Sequence, residues 1–143
     1  MRGAPLISHP YTRADAVAFL RGDVALADCR LAIAPDGAVV GGIGVKVNSH
    51  DYRGRIGYWV AAPSRGRGIC TQALGIFAHY ALNELGLQRV DLIADPDNLA
   101  SQRVAEKVGF QREGILRAHL RHPDGRVRDS VMFSLLPGEL VDQ

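Results

Sequence analysis

A turn that holds two arginines and two glycines connects an apolar run to a helical pattern between residues 60 and 75 (VAAPSRGRGICTQALG). The run before the turn, RIGYWVA (55–61), is typical of a β-strand. After the turn, apolar residues recur at helical spacing until about Leu85, and Gly86 predicts the end of this helix. The predicted buried face consists of Ile69, Ala73, Phe77, Ala81 and Leu85. The sequence therefore predicts a strand that passes through a glycine-rich turn directly into a long helix.

The helix start after this turn is suited to binding a phosphate or pyrophosphate group. The first N–H groups of a helix have no intrahelical partner and carry the positive end of the helix dipole. Gly66 and Gly68 allow a ligand to approach the backbone, and Arg65 and Arg67 add positive charge. A glycine-rich turn with two solvated arginines is the alternative. The P-loop is excluded because no lysine follows, and Thr71 stands where the dinucleotide fingerprint has its third glycine.

The rest of the sequence predicts one mixed α/β domain over residues 1–143. The Thr12-Arg13-Ala14-Asp15 pattern predicts a helix over 12–21, ended by Gly22. A tight turn at Asp36-Gly37 is predicted to join two strands. The third predicted helix follows the turn at 95–98, carries Ala100, Val104 and Val108 on one face and is closed by Gly109. The other predicted elements are strands at 31–35, 38–47, 89–94, 110–121 and 126–136, with turns at DPDN (95–98) and HPDG (122–125).

Composition narrows the class of protein. A net charge of +2 is too small to indicate nucleic acid or membrane as a partner. Two cysteines, Cys29 and Cys70, do not make a disulfide framework, so a cytoplasmic location is expected. No apolar run approaches the roughly 20 residues of a membrane span, and residues 1–10 lack the apolar stretch of a signal peptide. Five scattered histidines show no metal-ligand spacing, so no metal is expected.

Two stretches carry a resemblance to a known family. Arg65-x-x-Gly68-x-Cys70 resembles the Arg/Gln-x-x-Gly-x-Gly/Ala pyrophosphate loop of the GCN5-related N-acetyltransferases (GNATs), which bind acetyl-CoA. Cys70 is a departure, since the family has Gly or Ala there, but its side chain is small. ADPDNLASQRVAEKVGFQREGILR (94–117) resembles the branch that includes bacterial ribosomal-protein N-terminal acetyltransferases. The resemblance covers residues from about 11 to 136.

The resemblance implies a mixed, mostly antiparallel sheet with a splayed strand pair and flanking helices. The strand IGYWVAAP (56–63) resembles the splayed strand whose backbone pairs with the pantetheine arm of acetyl-CoA. Backbone N–H groups at Val60 and Ala61 would then polarise the thioester carbonyl. The expected contacts to acetyl-CoA as co-substrate are Trp59, Val60, Ala61, Arg65, Gly66, Arg67, Gly68, Ile69, Cys70, Thr71, Asn98 and Ser101.

Acetyl transfer to an amine needs a proton donor for the leaving sulfur and an acceptor for the amine proton. In the resembling branch a serine at the position of Ser101 is the donor; in the alternative, Ser101 only occupies a first helical turn. Asn98 is expected to cap that helix and to contact the cofactor. The stretch where some relatives have a glutamate base contains no carboxylate, which leaves His119 as the candidate base or as a surface strand residue. Covalent catalysis through Cys70 is not favoured, because no histidine neighbour is evident.

Three classes of function remain open. An N-acetyltransferase acting on a primary amine, with a protein N-terminus as the preferred acceptor, is the leading hypothesis. The second is an acetyl-CoA-binding domain with little catalysis, since relatives have a further strand and helix before the helix predicted at 12–21. A second subunit, as in a homodimer, could complete that part. The third is an RNA-contacting module, suggested by arginines in and around the last hairpin: Arg112, Arg117, Arg121, Arg126 and Arg128.

Overall fold

The computed structural model describes residues 28–141. The helix predicted at 12–21 lies outside the described residues. Those described form six strands, two α-helices and one short 3-10 turn at Ala62–Ser64. In chain order the elements are β1 (Cys29–Ile33), β2 (Gly41–Asn48), β3 (Arg53–Val60), α1 (Ile69–Asn83), β4 (Arg89–Ala94), α2 (Leu99–Val108), β5 (Gln111–Arg121) and β6 (Val127–Leu135).

The strands form one sheet in the order β1-β2-β3-β4-β6-β5. Neighbouring strands are antiparallel except for β3 and β4, which are parallel. This confirms the predicted mixed, mostly antiparallel sheet. The parallel pair is possible because α1 carries the chain back across the sheet between the two strands.

The core lies between one face of the sheet and helix α1. In β3, Ile56 and Val60 are buried, because alternate residues of a strand point to the same face. Leu74 and Phe77 of α1 are fully buried against this face. The predicted helical face is confirmed at Ala73, Phe77 and Ala81, which are buried, and at Ile69 and Leu85, which pack at its edge.

The connection between β1 and β2 differs from the tight turn predicted at Asp36-Gly37. The strands pair as predicted, but their register begins at Ile33 opposite Gly41, so residues 34–40 form a longer loop. Gly37 does adopt a positive φ of 94°. A 2.8 Å bond from Val40 N–H to the Ile33 carbonyl closes this loop next to the first register pair. The second hairpin turn, at residues 122–125, is confirmed by a 2.8 Å bond from His122 N–H to the Arg126 carbonyl.

The sheet opens between β3 and β4. Pairing covers only Arg53 to Arg55 opposite Arg89 to Asp91, whereas both strands continue further. Beyond that point the two strands separate, and the gap opens towards the turn that precedes α1 and the start of α2. The structure thus contains the splayed pair that the resemblance implies.

Candidate active site

The split between β3 and β4 leaves backbone groups of β3 unpaired on one side. Ala61 N–H donates to the Val40 carbonyl at 2.8 Å, so at Ala61 the backbone faces β2. Because backbone direction alternates along a strand, the groups of Val60 and Tyr58 face the split instead. The expectation that Ala61 N–H polarises a carbonyl is therefore wrong, since a protein carbonyl already accepts from it. The N–H group of Val60 faces the split and is still free to polarise a carbonyl there.

A cavity of about 550 Å³ occupies the split and is called the split cavity below. It runs from the glycine-rich turn, along β3, to one side of α2 from Asn98 to Lys107. Its lining consists of Tyr58, Trp59, Val60, Ser64, Arg65, Gly66, Gly68, Ile69, Cys70, Asn98, Ala100, Ser101, Val104 and Lys107. Nine of the twelve expected cofactor contacts thus meet here, and Ala61, Arg67 and Thr71 are absent from the lining.

The glycine-rich turn presents bare backbone to the split cavity. Gly66 and Gly68 have φ values of 79° and 76°, in the left-handed region that strains other residues. Gly68 is the N-cap of α1, and no side chain caps that helix start. The first N–H groups of α1 are therefore available to an anion at the positive end of the helix dipole. These residues fit a pyrophosphate.

The two arginines of the turn have different positions. Arg65 lines the cavity, and its Nε donates to the Val60 carbonyl at 2.9 Å. This bond ties the turn to the end of β3, so part of the guanidinium has a structural role. Arg67 is exposed and lies outside the lining. Its charge acts on a bound anion only across solvent, where screening is strong.

Helix α2 contributes the polar side chains on the other wall. Asn98 is its N-cap, and Asn98 Oδ1 accepts from Ser101 N–H at 3.1 Å. This is the capping bond predicted from the sequence. Ser101 Oγ lies 3.2 Å from the Tyr58 hydroxyl, so the two walls of the cavity are joined by a side-chain hydrogen bond. The structure therefore brings Asn98 and Ser101 to the same cavity as the glycine-rich turn.

This geometry agrees with comparisons to known proteins. Residues 1–111 match the family model described as "Acetyltransferase (GNAT) domain". The chain belongs to the GNAT family. It is similar to "Putative ribosomal N-acetyltransferase YdaF" of Bacillus subtilis, with 37% identity over 105 residues, or 73% of this chain and 57% of that protein. It is also similar to "Probable N-acetyltransferase YjcK" of the same organism, with 42% identity over 66 residues, 46% of this chain and 36% of that protein.

A solved GNAT structure shares the fold. Mycobacterium smegmatis RimJ, solved in complex with CoA-disulfide, superposes with a TM-score of 0.75 and 28% identity. The match covers 91% of this chain and 63% of that one. The chain thus spans only part of its relatives: 57% of YdaF and 36% of YjcK.

Several residues that line the split cavity were not predicted from the sequence. The sequence placed Ala100, Val104 and Val108 on one face of their helix. Ala100 and Val104 line the split cavity with Lys107, and Val104 also packs against the core, in which Ala105 and Val108 are buried. The spacing of Ala100, Val104 and Lys107 was the available signal, because these positions share one side of a helix. Ser64 belongs to the 3-10 turn and had no pattern of its own.

Neither cysteine has the character of an activated nucleophile. Burial raises the pKa of the Cys70 thiol, although the nearby Arg65 acts in the opposite direction. Burial raises the pKa of the Cys29 thiol to about 11. At neutral pH both groups are thiols rather than thiolates, and the thiolate is the reactive form.

A second depression lies on the sheet face opposite α1, over β1, β2 and β3. It has a volume of about 780 Å³ and is called the basic groove below. Gly44 and Gly57 are direct register partners in its floor, and a Cβ atom at Gly57 would meet no atom within 4 Å. Half-exposed Trp59 belongs to both depressions. The charged residues that line the groove are Asp28, Arg30, Lys46 and Arg55.

His119 lies on β5, outside the lining of both depressions. Its Nδ1 is 2.9 Å from Ser130 Oγ, which also accepts from Arg128 at 3.2 Å. Arg128 in turn lies 3.3 Å from a carboxylate oxygen of Asp95, at the end of β4. If Ser130 donates its proton to Nδ1, the other ring nitrogen of His119 carries the proton and cannot accept one.

The arginines of the last hairpin are largely engaged within the protein. Arg126 pairs with Asp124 at 2.8 Å, and Arg128 with Asp95. Arg112 donates to Gln102 at 3.4 Å. Arginines committed to such partners form a weaker anion-binding surface than their number alone indicates.

The described residues contain neither a metal-binding cluster nor a membrane-spanning helix. Between residues 28 and 141, no group of three or more His, Cys, Asp or Glu side chains has a metal-binding arrangement. In the same range, no helix has the length and apolar character needed to cross a membrane.

Proposed function

We propose that this GNAT chain is an N-acetyltransferase that moves the acetyl group of acetyl-CoA to the α-amine of a peptide or protein N-terminus. The observation that carries the proposal is the split cavity itself. It joins a backbone anion cradle at Gly66 and Gly68 to a hydroxyl donor at Ser101. A thioester cofactor with a pyrophosphate needs these two kinds of group at opposite ends of one cleft.

In this proposal each wall of the cavity has a separate task. The N–H groups at the start of α1 bind the pyrophosphate, and Asn98 and the edge of β3 hold the amide arm. Val60 N–H, on the open side of β3, stabilises the oxyanion that develops on the carbonyl. Ser101 Oγ donates to the sulfur as it leaves. Direct attack by the amine in a ternary complex requires no covalent enzyme intermediate, which fits the protonated state of Cys70.

The preference for an α-amine follows from proton energetics. A lysine or polyamine ammonium has a pKa near 10.4, whereas an α-amino group has one near 7.7–8.0. At pH 7 their deprotonation costs about 4.6 and about 1–1.4 kcal/mol respectively, at 1.36 kcal/mol per unit. The split cavity contains no Asp or Glu among its described lining residues that could take this proton. An α-amine is partly unprotonated at pH 7 and can release its remaining proton to water, or to His119 through water, whereas a lysine or polyamine ammonium needs a carboxylate base.

The charge of the basic groove supports the same preference. Arg55 is compensated by Asp91 at 2.6 Å, but Arg30 and Lys46 outnumber Asp28, which accepts from Val47 N–H at 2.7 Å, so the groove keeps a small positive charge. Trp59 connects the groove to the split cavity, so an acceptor in the groove can place its amine beside β3. A polycation is repelled there, whereas a peptide with acidic side chains after its N-terminus is attracted. YdaF is named as a ribosomal N-acetyltransferase, which is consistent with a protein acceptor.

The experiment compares acceptors at equal concentration. Acetyl transfer is measured with two peptides of identical sequence, one with a free and one with a blocked N-terminus, and with spermidine and a lysine-containing peptide. We expect the free N-terminus to react at least about tenfold faster than any other amine, from the difference in deprotonation cost. Faster transfer to spermidine contradicts the acceptor class. Tight acetyl-CoA binding without turnover of any amine favours the binding-domain alternative.

The role of His119 has its own measurement. If His119 accepts the amine proton, His119→Gln should lower kcat/KM and remove the corresponding ionisation from its pH profile. Ser130→Ala is the matched variant, because it frees Nδ1 without removing the ring. An unchanged pH profile in both variants assigns the proton to water.

A further inference from the structure

The hydroxyl groups of Tyr58 and Ser101 meet across the split cavity. Their oxygens are 3.2 Å apart, although the residues lie on β3 and α2 and are 43 positions apart in the chain. Both side chains line the cavity. No local pattern of the sequence connects the two residues, so the partnership of Tyr58 with Ser101 is a finding of the structure.

Tyr58 and Ser101 have one hydroxyl proton each, and only one of the two is used in the bond between them. Each hydroxyl has one proton to donate and lone pairs to accept with. Burial raises the pKa of the Tyr58 phenol, which is therefore protonated at neutral pH. Ser101 is held by its own N–H, which donates to Asn98 Oδ1 at 3.1 Å. When Tyr58 donates to Ser101 Oγ, the Ser101 proton is not used in that bond and is available to the cavity.

We propose that Tyr58 is a positioning residue whose hydroxyl donates to Ser101 Oγ and so directs the Ser101 proton to the leaving sulfur. The inference rests on the proposed function, because it concerns the same acetyl transfer. As the C–N bond forms and the C–S bond breaks, the electron pair of the C–S bond goes to sulfur. Sulfur takes the Ser101 proton, and the Ser101 oxygen takes the Tyr58 proton. The phenolate then regains a proton from the water that accepted the proton of the acetylated amine.

The chemistry of the two side chains explains why a pair is better than Ser101 alone. The ordinary pKa of a phenol, about 10, is close to that of the leaving thiol, about 8.5, whereas an aliphatic hydroxyl is a much weaker acid than either. Tyr58 therefore supplies the proton more readily than Ser101 would by itself. Ser101 is small enough to stand beside the cofactor arm, while Tyr58 is fixed by the strand that carries it. A purely structural bond that only closes the cavity is the competing explanation.

The first test titrates the thiol of bound CoA and needs no acceptor. The ultraviolet absorbance of the thiolate is followed against pH in the wild type, Tyr58→Phe, Ser101→Ala and the double variant. A donated hydrogen bond favours the thiolate, so the wild type should show the lowest pKa. We expect Ser101→Ala to raise this pKa by about one unit and Tyr58→Phe by about half a unit. The double variant should match Ser101→Ala, because Tyr58 acts only through Ser101.

The second test measures single-turnover acetyl transfer in the same four proteins. Tyr58→Phe should reduce the rate about 5- to 10-fold, as expected for one hydrogen bond, with the acetyl-CoA Kd unchanged within about twofold. Ser101→Ala should reduce it about 100-fold, and the double variant no further. Tyr52→Phe is the control, because Tyr52 is half exposed in the turn before β3 and remote from the cavity.

Two results of the four-protein comparison overturn the inference, and a third result concerns Tyr58→Phe alone. One is an identical CoA thiol pKa in all four proteins; the other is a double variant whose rate loss is the product of the single losses. Loss of acetyl-CoA affinity in Tyr58→Phe with an unchanged rate also contradicts it. A wild type that transfers to spermidine faster than to a free N-terminus contradicts the proposed acceptor instead, and the thiol titration still decides the role of Tyr58.

Discussion

The two ends of the β3–β4 pair are built from different kinds of group. At the closed end the strands pair over three residues, and Asp91 accepts from Arg55 at 2.6 Å and lies 3.4 Å from Arg89. At the split end the walls consist mainly of backbone groups, two glycines and the Tyr58–Ser101 hydroxyl pair, and the charged residues of the lining, Arg65 and Lys107, are exposed. Ion pairs to buried Asp91 thus hold the strands together where they meet, whereas neutral donors and two exposed cations line the gap where they separate.

The difference has a physical reason. A buried carboxylate is tolerated at the closed end because two guanidinium groups compensate its lost hydration. At the split end an entering ligand would have to desolvate any charge that was buried there, and the two cations of the lining are exposed. Fixed backbone dipoles and hydroxyl groups require less desolvation and no reorganisation. We therefore expect substitutions at the closed end to change stability, and substitutions at the split end to change binding or rate.

The largest effect is expected from Asp91→Ala. Asp91 is only 5% exposed, and its removal leaves the Arg55 and Arg89 charges without their common partner. Because both arginines are partly exposed, we expect the free energy of unfolding to fall by about 2–3 kcal/mol, below the loss for a fully buried pair. Urea denaturation measures this, and acetyl-CoA Kd should stay within about twofold. The exposed pair of Asp51 and Arg53 provides the control, since Asp51→Ala should cost under about 1 kcal/mol. A tenfold change in Kd for folded Asp91→Ala would show that the two ends are not separable.

Gly68→Ala tests the split end. Gly68 and Gly86 have φ values of 76° and 73°, and a Cβ atom meets no neighbour within 4 Å at either position. Alanine should therefore cost each site a similar 1–2 kcal/mol of stability, roughly the penalty of the left-handed conformation. Only Gly68 adjoins the anion cradle, so we expect acetyl-CoA affinity to fall about tenfold in Gly68→Ala and to stay unchanged in Gly86→Ala. Calorimetry at equal salt compares them, and equal affinities would place the pyrophosphate elsewhere.

The sequence predicted those parts of the molecule that depend on contacts between residues close together in the chain. The glycine-rich turn, α1 and the Asn98 cap were predictable, because each depends on residues within one or two helical turns. Gly68 needs a positive φ, and Asn98 accepts from an N–H three residues away. Such short-range requirements are visible in spacing alone.

Contacts between distant elements were not predictable in the same way. The Tyr58–Ser101 bond depends on how far β3 and β4 separate, which no local pattern encodes. The loss of Ala61 N–H to Val40 depends on the width of the first hairpin loop, which the Asp36-Gly37 signal underestimated. Ala100 and Val104 are apolar, and spacing alone did not separate a face on the core from a face on a cavity.

Lys46→Glu tests the basic groove, a third surface beside the closed and split ends of the β3–β4 pair. Lys46 is exposed in the groove lining, so the substitution should not affect folding. We expect kcat/KM for a peptide with acidic residues after its N-terminus to fall about 3- to 5-fold, and the loss to shrink as salt is added. Arg117→Glu makes the same charge change on exposed β5, away from the groove, and is the control. Equal losses in the two variants would indicate an effect of net charge alone.

The smallest expected effect concerns Glu113, which extends the ion network of the closed end to β5. Arg89 donates to both Glu113 oxygens, at 2.8 and 2.9 Å, and together with a bond from Ser134 this lowers the pKa of the Glu113 carboxyl from 4.5 to about 2. Because the folded pKa is the lower one, the unfolded chain binds the proton more tightly in acid. The stabilisation is therefore fully present above pH about 4.5 and is lost as pH falls towards about 2.

The size of this effect is limited by solvent. The Glu113 side chain is 42% exposed, so we expect about 1 kcal/mol or less rather than the full value of the shift. Urea unfolding of the wild type and Glu113→Gln at pH 6 and pH 3 measures it, and the stability difference between the two proteins should shrink at pH 3. A difference that is the same at both pH values would mean that the ion pair contributes nothing measurable. Glu113→Gln should leave acetyl-CoA affinity at pH 6 unchanged, because Glu113 belongs to the closed end and contacts no wall of the split cavity.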